Sequence, residues 1–123
     1  TVTDNQIQIG LPDNVTIAGT LTVNGSTTTI ESSTLVVEDP LISLAKDNTS
    51  ANSVDVGIYG TYASSGTKYK GMFSDASNSD VFTFFKNNAT APTTTVDVSD
   101  GSYALAGIKC ASVDGATIDG GTY

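Results

Sequence analysis

The residues from Val15 to Val23 alternate strictly. Val15, Ile17, Leu21 and Val23 hold odd positions, together with Gly19, while Thr16, Ala18, Thr20 and Thr22 hold the even ones. Successive side chains of an extended chain point to opposite faces, so this pattern makes a strand with one aliphatic face and one hydroxyl face. Asn24-Gly25, a dipeptide suited to a tight turn, closes the stretch. Ser26–Ile30 then reads as a Thr-rich strand. Leu35-Val36-Val37 reads as another, ending at Glu38-Asp39-Pro40, where proline has no N–H to offer a ladder.

An aliphatic stripe this thin cannot cover itself. Residues 1–40 contain no aromatic side chain, and a lone segment of that length buries too little apolar area to offset its conformational entropy. Copies of the same chain are the expected partners. Three chains can set their stripes on a common axis and leave the Thr faces in water. Val15, Ile17, Leu21 and Val23 are therefore the candidate trimer core.

Seven of the nine aromatic residues fall between Tyr59 and Phe85, which marks residues 41–98 as the globular part. Leu41–Ala45 reads as a short strand and Lys46–Ser53 as a polar loop. A three-strand antiparallel meander follows, over Asp55–Tyr62, Thr67–Phe73 and Asp80–Lys86. Its connections are a hairpin loop at Ala63–Gly66 and a turn cluster at Ser74–Ser79. Tyr69 and Phe73 share parity, as do Phe82 and Phe84. The expected knob core is Ile58, Tyr69, Phe73, Phe82 and Phe84, with Tyr59 the alternative to Ile58. Gly57, Gly60 and Gly71 inside strands suggest bulges or close backbone approach. Residues 99–123 read as a further β segment leading into more shaft. Within this last stretch and just before it, Thr93–Val98 and Ala104–Val113 are expected strands. The text Val113-Asp-Gly-Ala-Thr-Ile118-Asp-Gly120 is similar to Asp13-Asn-Val15-Thr-Ile17-Ala-Gly19. No stretch has helical periodicity. The fold class expected is all-β: a trimeric shaft of thin N-terminal β segments over 1–40, then a small antiparallel β meander or sandwich knob over 41–98. The chain starts at Thr1 rather than Met, and reads as a piece of a longer polypeptide.

Composition narrows the chemistry. Lys and Arg together number 5, all of them Lys, against 13 carboxylates, for a net charge of −8. No basic footprint for nucleic acid or anionic lipid is present. No apolar run in the sequence is long enough to be read as a membrane-inserted helix. There is no His, hence no Ser-His-Asp triad and no His-liganded metal. One Cys gives neither a disulfide within the chain nor a Cys cluster. Cys110, among Leu105 and Ile108, is expected to be a small buried apolar residue. Asp75–Asp80 superficially suggests a Ca²⁺ loop, yet Asp80 stands where an EF-hand needs Gly and Lys86 where it needs Glu. Most of the Asp residues sit beside Gly, Asn or Ser, as turn residues do. The expectation is no enzyme, no catalytic residue, no metal and no cofactor.

Threonine is the commonest residue of the chain, and the Thr-rich text itself carries a resemblance. Asp13–Leu44, D-N-V-T-I-A-G-T-L-T-V-N-G-S-T-T-T-I-E-S-S-T-L-V-V-E-D-P-L-I-S-L, resembles a module common in tail fibres and related virion proteins of tailed bacteriophages, especially those infecting marine bacteria. The stretches Asp55–Tyr62, Lys68–Ser77, Phe82–Lys86 and Pro92–Asp97 look like the phrases that follow in those fibres, in the same order. The resemblance covers about residues 13–98. It departs at Ser74, near which the family phrase carries a basic residue. It implies a homotrimeric fibre located on the virion, outside the cell, that works in host attachment or links a receptor-binding tip to the virion. Its implied partners are other virion proteins and a host-surface glycan or protein. It carries over no catalytic or receptor-binding residue. A second reading, a carbohydrate-binding or adhesive β module on a virion or bacterial surface, expects exposed aromatics on one strand face. A third, a piece of a polysaccharide-degrading tailspike, needs paired carboxylates in a groove.

Overall fold

The computed structural model describes residues 2–3, 6–7, 9–115 and 117. Backbone contacts divide the chain into two units, Thr1–Glu38 and Asp39–Tyr123. All regular structure among the described residues is β, with no helix.

In the first unit, β1 (Val2–Thr3) and β2 (Gln6–Ile7) form a two-residue antiparallel ladder, pairing Val2 with Ile7 and Thr3 with Gln6. From residue 9 to residue 38 no strand is formed. The strands expected over Val15–Val23, Ser26–Ile30 and Leu35–Val37 are thus absent from the single chain. A strand is defined by its ladder, and these segments have no neighbouring backbone to pair with.

The second unit is built on a four-stranded antiparallel sheet in sequence order, β3 (Val56–Ala63), β4 (Thr67–Asp75), β5 (Val81–Asn88) and β6 (Ala104–Leu105). The three long strands are the meander read from the sequence. Leu41–Ala45 and Thr93–Val98, expected as strands, are irregular. The expected strand Ala104–Val113 is reduced to the two residues of β6. One further bond, from the Ala106 N–H to the Phe84 carbonyl at 2.8 Å, extends it. The tail text around Ile118–Gly120 lies outside the described residues.

Local chemistry explains the turns. The β3–β4 loop places Ser65 and Gly66 at φ 52° and 105°, a left-handed conformation that glycine adopts without steric cost. The β4–β5 turn is organised by Asp75. Its Oδ1 accepts from the Ser77 N–H at 2.9 Å and the Ser77 hydroxyl at 2.6 Å, and its carbonyl accepts from the Asp80 N–H at 2.9 Å. On β5 the register slips: Gly71 faces Phe85, but Tyr69 faces Asn88. Two steps on β4 match three on β5, which is a bulge, and Asn87 within it has φ 59°.

Register assigns the two faces. Cross-strand partners share a face, and Phe73 pairs with Gly57 and Thr83, while Met72 pairs with Ile58 and Phe84. The inner face therefore carries Gly57, Tyr59, Tyr69, Gly71, Phe73, Asp75 and Phe85. Phe73 and Phe85 are its core, 2% and 1% exposed, with rings edge to face at 5.5 Å. Tyr103 stacks on Phe85 at 6.0 Å.

The segment Thr90–Tyr103 is tied against this face by polar groups. The Asp55 carboxylate accepts from the Ala76 N–H at 3.0 Å and the Val96 N–H at 2.7 Å, and the Asp55 N–H donates to the Thr94 carbonyl at 2.8 Å. Asn88, fully buried, donates to the Asp97 carbonyl and accepts from the Thr90 N–H. The buried polar side chains thereby keep their partners, as a small core requires.

The expected knob core needs correction. Phe73 is in the core and Tyr69 is half-buried on the same face, but Ile58, Phe82 and Phe84 stand exposed on the outer face. Phe84 and Phe85 are adjacent, so one must point in and the other out. The expected parity takes the wrong member of the pair. The phase of β5 against β4 is fixed by the turn at Ala76–Asp80, which the alternation of β5 alone does not reveal.

Candidate interaction surface

Two apolar surfaces stand out. The first is the aliphatic set of the N-terminal unit. Val15, Ile17, Leu21 and Val23 are 50, 53, 69 and 53% exposed. None of the four is buried among the described residues, although their spacing puts them on one side of an extended backbone.

The second is the outer face of the sheet. Ile58, Met72 and Phe84 make one cross-strand row over β3, β4 and β5, and Phe82 stands one row further along. Ile58 and Phe82 are more than half exposed, Phe84 less so. The same parity places Lys68, Lys70 and Lys86 on this face. The sheet thus gathers three of the five lysines of an acidic chain onto one side. Two of them meet neutral groups of their own chain. The Lys70 ammonium lies 4.4 Å from the centre of the Tyr62 ring, and Lys68 donates to the Ser102 hydroxyl at 3.1 Å.

The tyrosines of the meander are partly occupied. The Tyr62 hydroxyl donates to Asn87 Oδ1 at 2.6 Å and accepts from the Asn87 N–H at 2.9 Å, which ties β3 across β4 to the bulge. Tyr69 packs edge-on against Tyr59 at 5.9 Å. Tyr59 keeps about half its surface in solvent.

The acidic residues act as turn builders. Asp75, Asp97 and Asp100 each accept from the backbone N–H and the hydroxyl of a Ser two positions on. This Asp-x-Ser spacing is the signal in the sequence for these three turns. Asp100 also accepts from the Thr90 hydroxyl at 2.6 Å. These bonds, the one from Thr90 first and those from Ser102 next, hold its carboxyl well below the usual carboxylate range. Burial, and then the charge of Asp75, pushes the Tyr103 phenol above its usual value. Among the described residues no group of three or more His, Cys, Asp or Glu is placed to hold a metal. Cys110, expected to be buried, is exposed, because the backbone has left the sheet by that point.

Comparison with protein-family models, curated proteins and solved structures gives no match for this chain. The reading of function therefore rests on the surfaces themselves.

Proposed function

We propose that the chain is a structural module of a bacteriophage virion fibre, a tail fibre or spike, which assembles as a homotrimer and supports host attachment. The observation that carries this reading is the state of residues 9–38. They hold the period-2 aliphatic pattern of Val15–Val23, with exposed side chains and no backbone pairing. Such a segment acquires a ladder and a core when other chains supply them. Three copies around an axis would bury Val15, Ile17, Leu21 and Val23 together and leave the threonines in water. The compact sheet of the second unit would then ride on the shaft as a knob. The resemblance of about residues 13–98 to fibre modules points the same way.

The adhesive alternative asks for free aromatic faces. Phe82 and Phe84 on the outer face of β5 meet that demand, whereas Tyr62 carries Lys70 over its ring and Tyr69 is half-buried against Tyr59, so the tyrosines serve the cohesion of the sheet instead.

Sedimentation equilibrium tests the proposal. The expected mass is three times the 12.6 kDa of one chain. Replacing Ile17 and Leu21 with Asp should convert the trimer to monomer while the tyrosine near-ultraviolet signal of the knob persists. A folded monomer for the unaltered chain at all concentrations would overturn the proposal.

A further inference from the structure

The outer face of the sheet has chemistry at odds with the rest of the chain. It is apolar at Ile58, Met72, Phe82 and Phe84, and it carries Lys68, Lys70 and Lys86, in a molecule of net charge −8. Lys68 is tied through the Ser102 hydroxyl to the Asp100 turn, which leaves Lys70 and Lys86 as the basic groups beside the apolar rows. A surface that is both apolar and basic fits an occupant that is both apolar and acidic.

The chain contains such an occupant. Glu38–Leu44 reads Glu-Asp-Pro-Leu-Ile-Ser-Leu. Leu41 and Ile42 are 85 and 70% exposed, so the run does not cover the sheet of its own chain. Pro40 removes a backbone donor and keeps the run from continuing a regular ladder, which favours side-chain docking on a face. Its seven residues extend over roughly 23 Å, and four strands spaced at about 4.8 Å span roughly 14 Å. One extended run can thus cross the face from β3 to β6.

We propose that Glu38–Leu44 of a second copy of this chain docks across the outer face, with Ile42 and Leu44, which share one side of an extended run, against Ile58, Met72 and Phe84, and with the acidic Glu38-Asp39 end beside Lys70 and Lys86. The contact joins two different patches, so it is heterologous, and three such contacts close a ring. The inference rests on the homotrimer reading above and names where, beyond the aliphatic stripe, the chains hold one another.

Charge exchange in the full chain tests it. Lys70→Glu with Lys86→Glu should weaken association about tenfold or more, and Glu38→Lys with Asp39→Lys should do the same. All four changes in one chain should restore association to within about threefold of the unaltered protein, since the attraction is re-formed with reversed sign. Each variant is checked by circular dichroism. Should a glutamate variant misfold, Lys70→Gln with Lys86→Gln gives the milder form of the same test. A zero-length carbodiimide cross-link from Glu38 or Asp39 to Lys70 or Lys86, found between isotopically distinct chains, is the expected direct readout.

A trimer indifferent to both double variants would overturn the docking and leave the fibre reading standing. A monomeric unaltered protein would overturn both. Cross-links confined to single chains would assign the face to the chain's own run. Binding to phosphatidylglycerol vesicles that the lysine variants lose, with association unchanged, would assign it to an anionic surface. Either result overturns the proposal.

Discussion

Three glycines of the meander look alike in the sequence and should respond in opposite ways to one methyl group. Gly57 faces Phe73 and Gly71 faces Tyr59 across the β3–β4 ladder, both on the inner side. A Cβ on Gly57 would overlap the Met72 carbonyl oxygen and lie 2.6 Å from Phe73 Cα. A Cβ on Gly71 would overlap the Ile58 carbonyl oxygen and lie 2.7 Å from Tyr59 Cα. The obstacles are backbone atoms, so no rotamer change relieves them; the two strands must separate. Overpacking of this kind costs about 1–3 kcal/mol. Against it stands about 0.4–1 kcal/mol gained by restricting the unfolded chain. Gly71→Ala and Gly57→Ala should therefore each lose about 1–2 kcal/mol net. Gly60, in the same strand as Gly57, has open space at its Cβ position, and Gly60→Ala should be neutral or stabilising by up to about 1 kcal/mol. Urea denaturation followed by tyrosine fluorescence measures all three. In a unit of this size each kcal/mol corresponds to about 4–8 °C in the melting midpoint. If Gly71→Ala proved as stable as the parent, the close approach of β3 to β4, and the register that places Gly71 on the inner face, would be refuted.

Two further outcomes follow from the same geometry. Phe85→Ala should cost about 3–5 kcal/mol, enough to unfold much of a small unit, while Phe84→Ala one residue away should cost far less in the isolated chain; equal losses in a denaturant titration would reverse the assigned faces. The pH profile should fall at both ends. Asp100, whose folded carboxyl titrates below its unfolded value, adds stability above about pH 4 that is lost as pH drops further. Tyr103, whose phenol is raised, adds stability below about pH 10 that is lost as pH rises past that value. Denaturation midpoints across pH, compared with Asp100→Asn and Tyr103→Phe, check both signs, and an unchanged slope in either variant would show that its residue does not shape the profile.

The meander was legible in the sequence because each of its strands has β-branched and aromatic residues bounded by Gly, Ser and Asp turns, and these local signals agree with the final pairing. The faces were less legible. Phe82, Phe84 and Phe85 offer two self-consistent phases, and only the Asp75-centred turn and the Asn87 bulge select the one with Phe85 inside. Asp55 and Asn88 could not be found by periodicity at all. Their work is to accept and donate bonds across 41 and 9 residues of sequence, which alternation within a strand does not encode. For Val15–Val23 the pattern is plain and the single chain does not realise it, because a ladder needs a neighbour.

That difference bears on how the molecule is organised. The second unit meets its polar requirements internally: Asp55, Asp75, Asn88 and Asp100 are each bonded to nearby backbone or hydroxyl groups. The aliphatic side chains of residues 9–38 are left in water. Under the proposed trimer, a chain with one self-sufficient unit and one insufficient unit would assemble with the second unit folding first and the N-terminal segment zipping once copies meet. This order makes a kinetic claim. Refolding from denaturant should show a concentration-independent phase in tyrosine fluorescence, followed by a concentration-dependent phase in far-ultraviolet circular dichroism as the shaft gains β structure. A single phase, with both signals rising together at a rate proportional to concentration, would mean that the knob too requires its neighbours, and would move the outer-face contacts of Ile58, Met72 and Phe84 from late docking into the folding step itself.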